Sequence, residues 1–145
     1  MTVVCRPSHI GLCVADLAAA QRFYCDGLGF DLAEGYDLTS AMLPALGTAL
    51  EIDGAVAMRS QMIRRDGLTI ELLAYSEPTP VGVPSSSRVN LGFTHLSFYV
   101  DDIEQAIEHL VAHGGSVVPD TRQNLGIQMV FLADPDGARV ELLQA

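Results

Sequence analysis

The sequence predicts an α+β protein built from two repeated βαβββ modules, and three observations carry that prediction. A strand-like run that opens with histidine occurs twice: His9-Ile-Gly-Leu-Cys-Val-Ala-Asp-Leu returns as His95-Leu-Ser-Phe-Tyr-Val-Asp-Asp-Ile. A second strand-like run with a central glutamate also occurs twice: Asp66-Gly-Leu-Thr-Ile-Glu71-Leu-Leu returns as Asp136-Gly-Ala-Arg-Val-Glu141-Leu-Leu. Between the two copies lies the aperiodic, proline- and serine-rich stretch 76–88, which reads as an extended linker. The chain is therefore expected to form a single domain, 1–145, with module one at 1–75 and module two at 89–145.

Within each module the order is strand, helix, then a three-strand meander. Strand one alternates, with His9, Gly11 and Cys13 on one face and Ile10, Leu12 and Val14 on the other; its counterpart splits His95, Ser97 and Tyr99 from Leu96, Phe98 and Val100. Asp16, and Asp101 or Asp102, are candidate helix caps. The 3.6-residue spacing of Leu17, Ala20, Phe23 and Tyr24, and of Ile103, Ile107, Leu110 and Val111, supports the helices that follow, with Gly27 and Gly114 marking their ends. Asp66-Gly67 and Asp136-Gly137 are hairpin signals before each last strand. The chain runs 62 residues from His9 to Glu71 but only 46 from His95 to Glu141, so module one carries 16 extra residues. This insertion includes Ser40 to Gly54, a pocket-shaping loop where substrate specificity is expected to reside.

The site follows from the faces. Glu71 and Glu141 lie among strongly apolar strand neighbours, where an uncompensated carboxylate is costly. The repeat supplies no lysine or arginine at matching positions in both modules, whereas a divalent cation would provide the missing charge. With two neutral imidazoles the donor set is mixed nitrogen and oxygen, suited to Zn, Ni, Fe, Co or Mn. His9, Glu71, His95 and Glu141 are thus the expected ligands of one divalent metal. A lone strand histidine is ordinarily a hydrogen-bonded structural residue, and a lone strand glutamate ordinarily faces water; recurrence of both in both modules separates these four from that background. His109 and His113, spaced i, i+4, could clamp a metal but lack a repeating acidic or cysteine partner, and read as solvated helix-end residues. Cys13 and Tyr99 share the histidine faces and are candidate pocket-lining residues.

Composition narrows the function. Eighteen acidic against eight basic side chains give a formal charge of −10, which repels phosphate backbones and offers no basic stripe, so no nucleic acid partner is expected. No run approaches the ~20 apolar residues needed to span a bilayer, and no charged-then-apolar leader opens the chain; a cytoplasmic location without membrane association is expected. With 49% apolar residues a sizeable core can form without staples. Cys5, Cys13 and Cys25 are odd in number and lack Cys-x-x-Cys spacing, so buried reduced thiols are expected.

These modules, with Phe23-Tyr-Cys-Asp-Gly-Leu-Gly-Phe30 after the first helix and Phe131-Leu-Ala-Asp-Pro-Asp-Gly137 before the last strand, resemble the vicinal oxygen chelate superfamily across nearly the whole chain. It includes glyoxalase I, methylmalonyl-CoA epimerase, extradiol dioxygenase and bleomycin or fosfomycin resistance groups. The resemblance implies a cupped mixed sheet around a metal-binding cavity, a small-molecule substrate that chelates the metal, and a homodimer. His9, Glu71, His95 and Glu141 fall on its four ligand positions, a set similar to that of bacterial glyoxalase I. Methylmalonyl-CoA epimerase-like members usually have glutamine where this chain has Glu71, and place a glutamate base where it has Ser60 or Gln61. The cationic contacts that glutathione recognition requires are not assigned by sequence among Arg59, Arg64, Arg65, Arg88 and Arg122.

The expected activity is that of a metal-dependent lyase, isomerase or epimerase of the glyoxalase type, moving a proton next to a metal-chelated carbonyl. Glu141 or Glu71 is the expected catalytic base, with Glu51 a third candidate. The alternatives are a non-catalytic small-molecule-binding protein of the resistance type and an Fe-dependent dioxygenase.

Overall fold

Alternating small and aliphatic side chains make β1 (Ile10–Cys13) a strand, and the computed structural model of residues 1–145 sets it parallel to β4 (Leu68–Glu77). β3 (Ala57–Arg65) runs antiparallel to β4, and β2 (Asp31–Thr39) antiparallel to β3, which completes a four-stranded mixed sheet in the order β1-β4-β3-β2. The second half repeats the scheme. β5 (Leu96–Tyr99) lies parallel to β9 (Arg139–Gln144), β9 is antiparallel to β8 (Gln128–Ala133), and β8 pairs with two short strands, β6 (Ser116–Val117) and β7 (Gln123–Asn124). The α+β class and the repeated strand order are those expected from the sequence. Module two's first meander strand is broken in two, because Pro119 has no N–H to donate and Asp120 takes a left-handed φ of 64°. β4 runs on to Glu77, two residues into the stretch read as linker.

The two hairpin signals are realised differently. Asp66 and Gly67 have φ of 48° and 83°, a tight two-residue turn between β3 and β4 whose left-handed backbone glycine accepts at little cost. At the second, only Gly137 is left-handed, and the Asp134 carboxylate organises the connection by accepting from the backbone N–H groups of Asp136 (3.0 Å) and Ala138 (2.8 Å).

α1 (Leu17–Gln21) continues into a π-helical turn, Arg22–Gly27. Its left-handed exit residue is Gly29 (φ 74°), not Gly27 as the spacing predicted; Gly27 belongs to the last turn, where a Cβ would come within 3.1 Å of Leu110. α3 (Ile103–Ala112) is capped by Asp102, whose carboxylate accepts from Gln105 N–H at 3.0 Å, and ends as expected at Gly114 (φ 97°).

Two compact units result: Met1–Leu17 with Phe30–Pro80, and Ala18–Gly29 with Val81–Ala145. The helical segment read as part of module one thus groups with the second sheet. Tyr24 donates to Asp134 at 2.8 Å, Arg22 donates to the Ala112 carbonyl at 2.6 Å, and Phe23, Tyr24, Leu110, Leu132 and Leu142 are buried. Each large apolar side chain so buried contributes about 1.5–3 kcal/mol.

In the first unit, Ile63, Ile70 and Leu72 are fully buried on one face of the sheet. On the other face the inserted loop folds through α2 (Leu46–Ala49), and Leu46, Val56 and Met58 pack with Ile52, Leu73 and Tyr75. Leu73 and Tyr75 alternate with Glu71 along β4, so the insertion lies on the Glu71 face of its sheet. None of the three cysteines is in a disulfide, but Cys5 and Cys13 are exposed and Cys25 half-buried, which corrects the expectation of buried thiols. Cys5 precedes the first strand and Cys13 lies on the open face of an edge strand. No helix is long and apolar enough to cross a membrane.

Candidate metal centre

Parallel pairing of an edge strand with its neighbour brings each histidine to its glutamate. Gly11 is opposite Glu71 and Ser97 is opposite Glu141, so His9 and His95, each two residues earlier, take the same position in the same register. His9 Nε2 lies 3.0 Å from Glu71 Oε2, and His95 Nε2 lies 3.5 Å from Glu141 Oε2. The glutamate side chains keep only 18% and 16% of their exposure, and the histidines 35% and 29%, so each pair is shielded but reachable from solvent. The structure brings the four predicted residues together as these two pairs, one per unit, and gathers no three His, Cys, Asp or Glu side chains into a group able to hold a metal.

Hydroxyl groups orient both members of each pair. Ser8 Oγ is 2.9 Å from His9 Nδ1 and Thr94 Oγ1 is 2.8 Å from His95 Nδ1, which turns each Nε2 toward its carboxylate. Ser60 Oγ donates to Glu71 Oε1 at 2.5 Å, and Ser97 Oγ donates to Glu141 Oε2 at 2.6 Å. Ser60 is buried and reaches over from β3; Ser97 is exposed and stands on β5. Both oxygens of Glu71 are thereby engaged, whereas Glu141 keeps Oε1 without a partner.

Ser60, not Gln61, shares the Glu71 face. Gln61 is buried on the opposite face, where its amide donates to the carbonyls of Ala33 (2.9 Å) and Glu34 (3.2 Å) at the irregularity in β2. Burial raises the Tyr75 pKa above the ordinary tyrosine value, and the charges of Cys13 and Glu71 add to the effect. In the second unit the Phe131 ring meets His95 edge to face at 5.1 Å, and Arg88 sits 5.8 Å over that ring.

The other candidates fall elsewhere. Glu51 is exposed in a left-handed turn after α2. Tyr99 is 78% exposed. His109 and His113 are engaged rather than simply solvated: His109 Nε2 meets the Asp26 carbonyl at 3.2 Å, and His113 Nδ1 meets the His109 carbonyl at 2.7 Å. The orienting hydroxyls of Ser8 and Thr94 went unread, although hydroxyl-then-histidine is itself part of the repeat.

Two mixed sheets with one His–Glu pair in the same parallel register of each define a duplicated α+β protein whose halves share one site design. The chain belongs to the Glyoxalase/Bleomycin resistance protein/Dioxygenase superfamily, whose profile matches residues 6–142. It is 32% identical over 142 residues to the uncharacterized protein YaeR of Escherichia coli K12, covering 94% of this chain and 93% of that one. It is 31% identical over 144 residues to a 2-epi-5-epi-valiolone epimerase of an Actinomyces species, covering 93% and 76%. Among solved structures, a glyoxalase family protein from Bacillus cereus shares the fold with a TM-score of 0.80 at 19% identity, over 99% of this chain and 95% of that one. The fosfomycin resistance protein FosX of Listeria monocytogenes, solved with Mn(II) and sulfate, shares it with a TM-score of 0.62 at 16% identity, over 99% and 94%.

Proposed function

We propose that this protein is a divalent-metal-dependent enzyme of the lyase or isomerase/epimerase kind, with His9, Glu71, His95 and Glu141 as its metal ligands. The observation that carries the reading is the repeated, hydroxyl-oriented His–Glu pair: neutral imidazole nitrogens and carboxylate oxygens, held side by side, match the donors preferred by Zn, Ni, Fe, Co or Mn. When bound, such a metal supplies Lewis acidity to a carbonyl oxygen of a small-molecule substrate and stabilises the negative charge that grows there as a neighbouring proton departs.

The protein's own part is to hold that carbonyl and take the proton. Glu141 is the better base, because its Oε1 is free to accept while both oxygens of Glu71 are engaged by His9 and Ser60. The family's epimerase and glyoxalase members support this reaction class. A homodimer in the cytoplasm, acting on neither nucleic acid nor membrane, completes the reading.

Metal analysis of the purified chain beside Glu71→Ala and His95→Ala is the test. About one transition metal per chain, lost in both variants, is the expected result, followed by turnover of a 2-oxoaldehyde hemithioacetal, an acyl-CoA thioester or a cyclic ketone. No metal after reconstitution would overturn it. The bleomycin resistance proteins of the same family support one second reading, a small-molecule-binding protein of the resistance type. Tight ligand binding that a chelator leaves unchanged is its signature.

A further inference from the structure

Arginines in so acidic a chain should have carboxylates beside them, and four of the eight do. Arg59 meets Asp37, Arg64 meets Glu34, Arg65 meets Asp66 and Arg122 meets Glu104. Arg88 and Arg139, both in the second unit, are among the four that do not, and of these they are the two beside the His95–Glu141 pair. Arg88 donates only to main-chain carbonyls, those of Thr94 and Ser85, and Arg139 only to the carbonyl of Gly137 at 2.9 Å. Yet they are near each other: burial lowers the Arg88 pKa, and the charge of Arg139 lowers it further.

Their position is what gives this a use. Arg139 precedes Glu141 by two residues on β9 and so shares its face, about 7 Å along the strand. Arg88 is stacked over Phe131, the residue opposite Glu141 on β8, whose ring edge meets His95. The carbonyl contacts hold the Arg88 guanidinium in place without neutralising it, and both side chains are half-buried. Two like charges fixed together without a carboxylate are unfavourable alone; an anion that takes both forks reverses the sign.

We propose that Arg88 and Arg139 form an anion-binding subsite beside the His95–Glu141 pair, so that the substrate is a small carbonyl compound carrying a carboxylate or phosphate group. The carbonyl half of this statement rests on the function proposed above; the anion half does not. The full chain, freed of metal with chelator, is titrated with inorganic phosphate or with acetate at matched conductivity, and the arginine Nε–H signals are followed by NMR. Saturable shifts of the Arg88 and Arg139 signals are expected, and the tighter of the two anions identifies the substrate's charged group. In Arg139→Gln the Arg88 shift should need about tenfold more anion, and in Arg139→Lys an intermediate amount, while Arg65→Gln should match the wild type. No saturable shift with either anion, or an unchanged affinity in both Arg139 variants, overturns the proposal. Metal content is read on separate samples, so loss of the metal reading leaves the anion result standing, and the reverse.

Discussion

The two units place histidine beside glutamate in the same strand register, yet almost everything around the pairs differs. In the first, the Glu71 face is shared with an inserted loop and its helix, and the carboxylate is tied by a buried serine from a neighbouring strand. In the second, the serine is exposed and comes from the edge strand, and an aromatic ring with a guanidinium over it stands beside the histidine. The first unit carries surface ion pairs across β2 and β3; the second is locked internally by Tyr24 and Asp134. Parallel register therefore suffices to build the pair, and the surroundings are free to diverge and set what each half recognises.

The largest test of this contrast is aimed at the internal lock. Asp134→Ala leaves the Tyr24 hydroxyl and two backbone N–H groups without their acceptor in the second unit, and should cost about 3 kcal/mol in chemical denaturation. The same carboxyl shows a pH signature. Burial raises its folded pKa above the ordinary 3.8, so the folded state holds the proton more tightly than the unfolded chain. Its contribution is fullest below pH 3.8 and declines as pH rises through the folded value; Asp134→Asn should flatten that decline.

A smaller effect separates the two serines. Ser60→Ala should weaken metal binding by about tenfold, since no water readily replaces a buried donor to Glu71, whereas Ser97→Ala at an exposed position should cost less. Equal losses, measured by competition with a chromogenic chelator, would erase the asymmetry. The smallest concerns the surface of the first unit. Hydrogen bonding to Arg64 holds the exposed Glu34 carboxyl at about 2, so the pair's favourable contribution is present above pH 4.5 and lost as pH falls through about 2. Arg64→Ala should return the Glu34 value toward 4.5 in an NMR titration without measurable loss of metal binding.

Much of this was legible in the sequence, because internal repetition reports register directly. If His9 and Glu71 recur as His95 and Glu141 in like contexts, the strands that carry them must pair alike, and they do. What the repeat could not report is whatever breaks it. Gly29 in place of Gly27 as the helix exit depends on the extra residue of a π-helical turn, which has no periodicity of its own. The grouping of Ala18–Gly29 with the second sheet is a matter of tertiary packing that neither copy encodes alone. Ser60 and Gln61 were adjacent alternatives, and only the β3–β4 register, which sets Met62 opposite Glu71, puts Ser60 on the Glu71 face and Gln61 on the other. Cys13 is exposed because apolar neighbours in sequence do not bury a residue on the open side of an edge strand.

The inserted loop of the first unit has a consequence for how such a protein can change. Joining His9 to Glu71 closes a circuit of 62 residues and joining His95 to Glu141 one of 46, and for flexible segments the entropy lost on closure grows only with the logarithm of length. The longer circuit costs roughly 0.3 kcal/mol more than the shorter. Closing the longer circuit thus adds almost nothing, and the ordering of the sixteen residues is offset locally by packing of Leu46, Ile52 and Val56, so a lineage could lengthen, trim or replace that stretch repeatedly while the paired strands beneath it stay as they are.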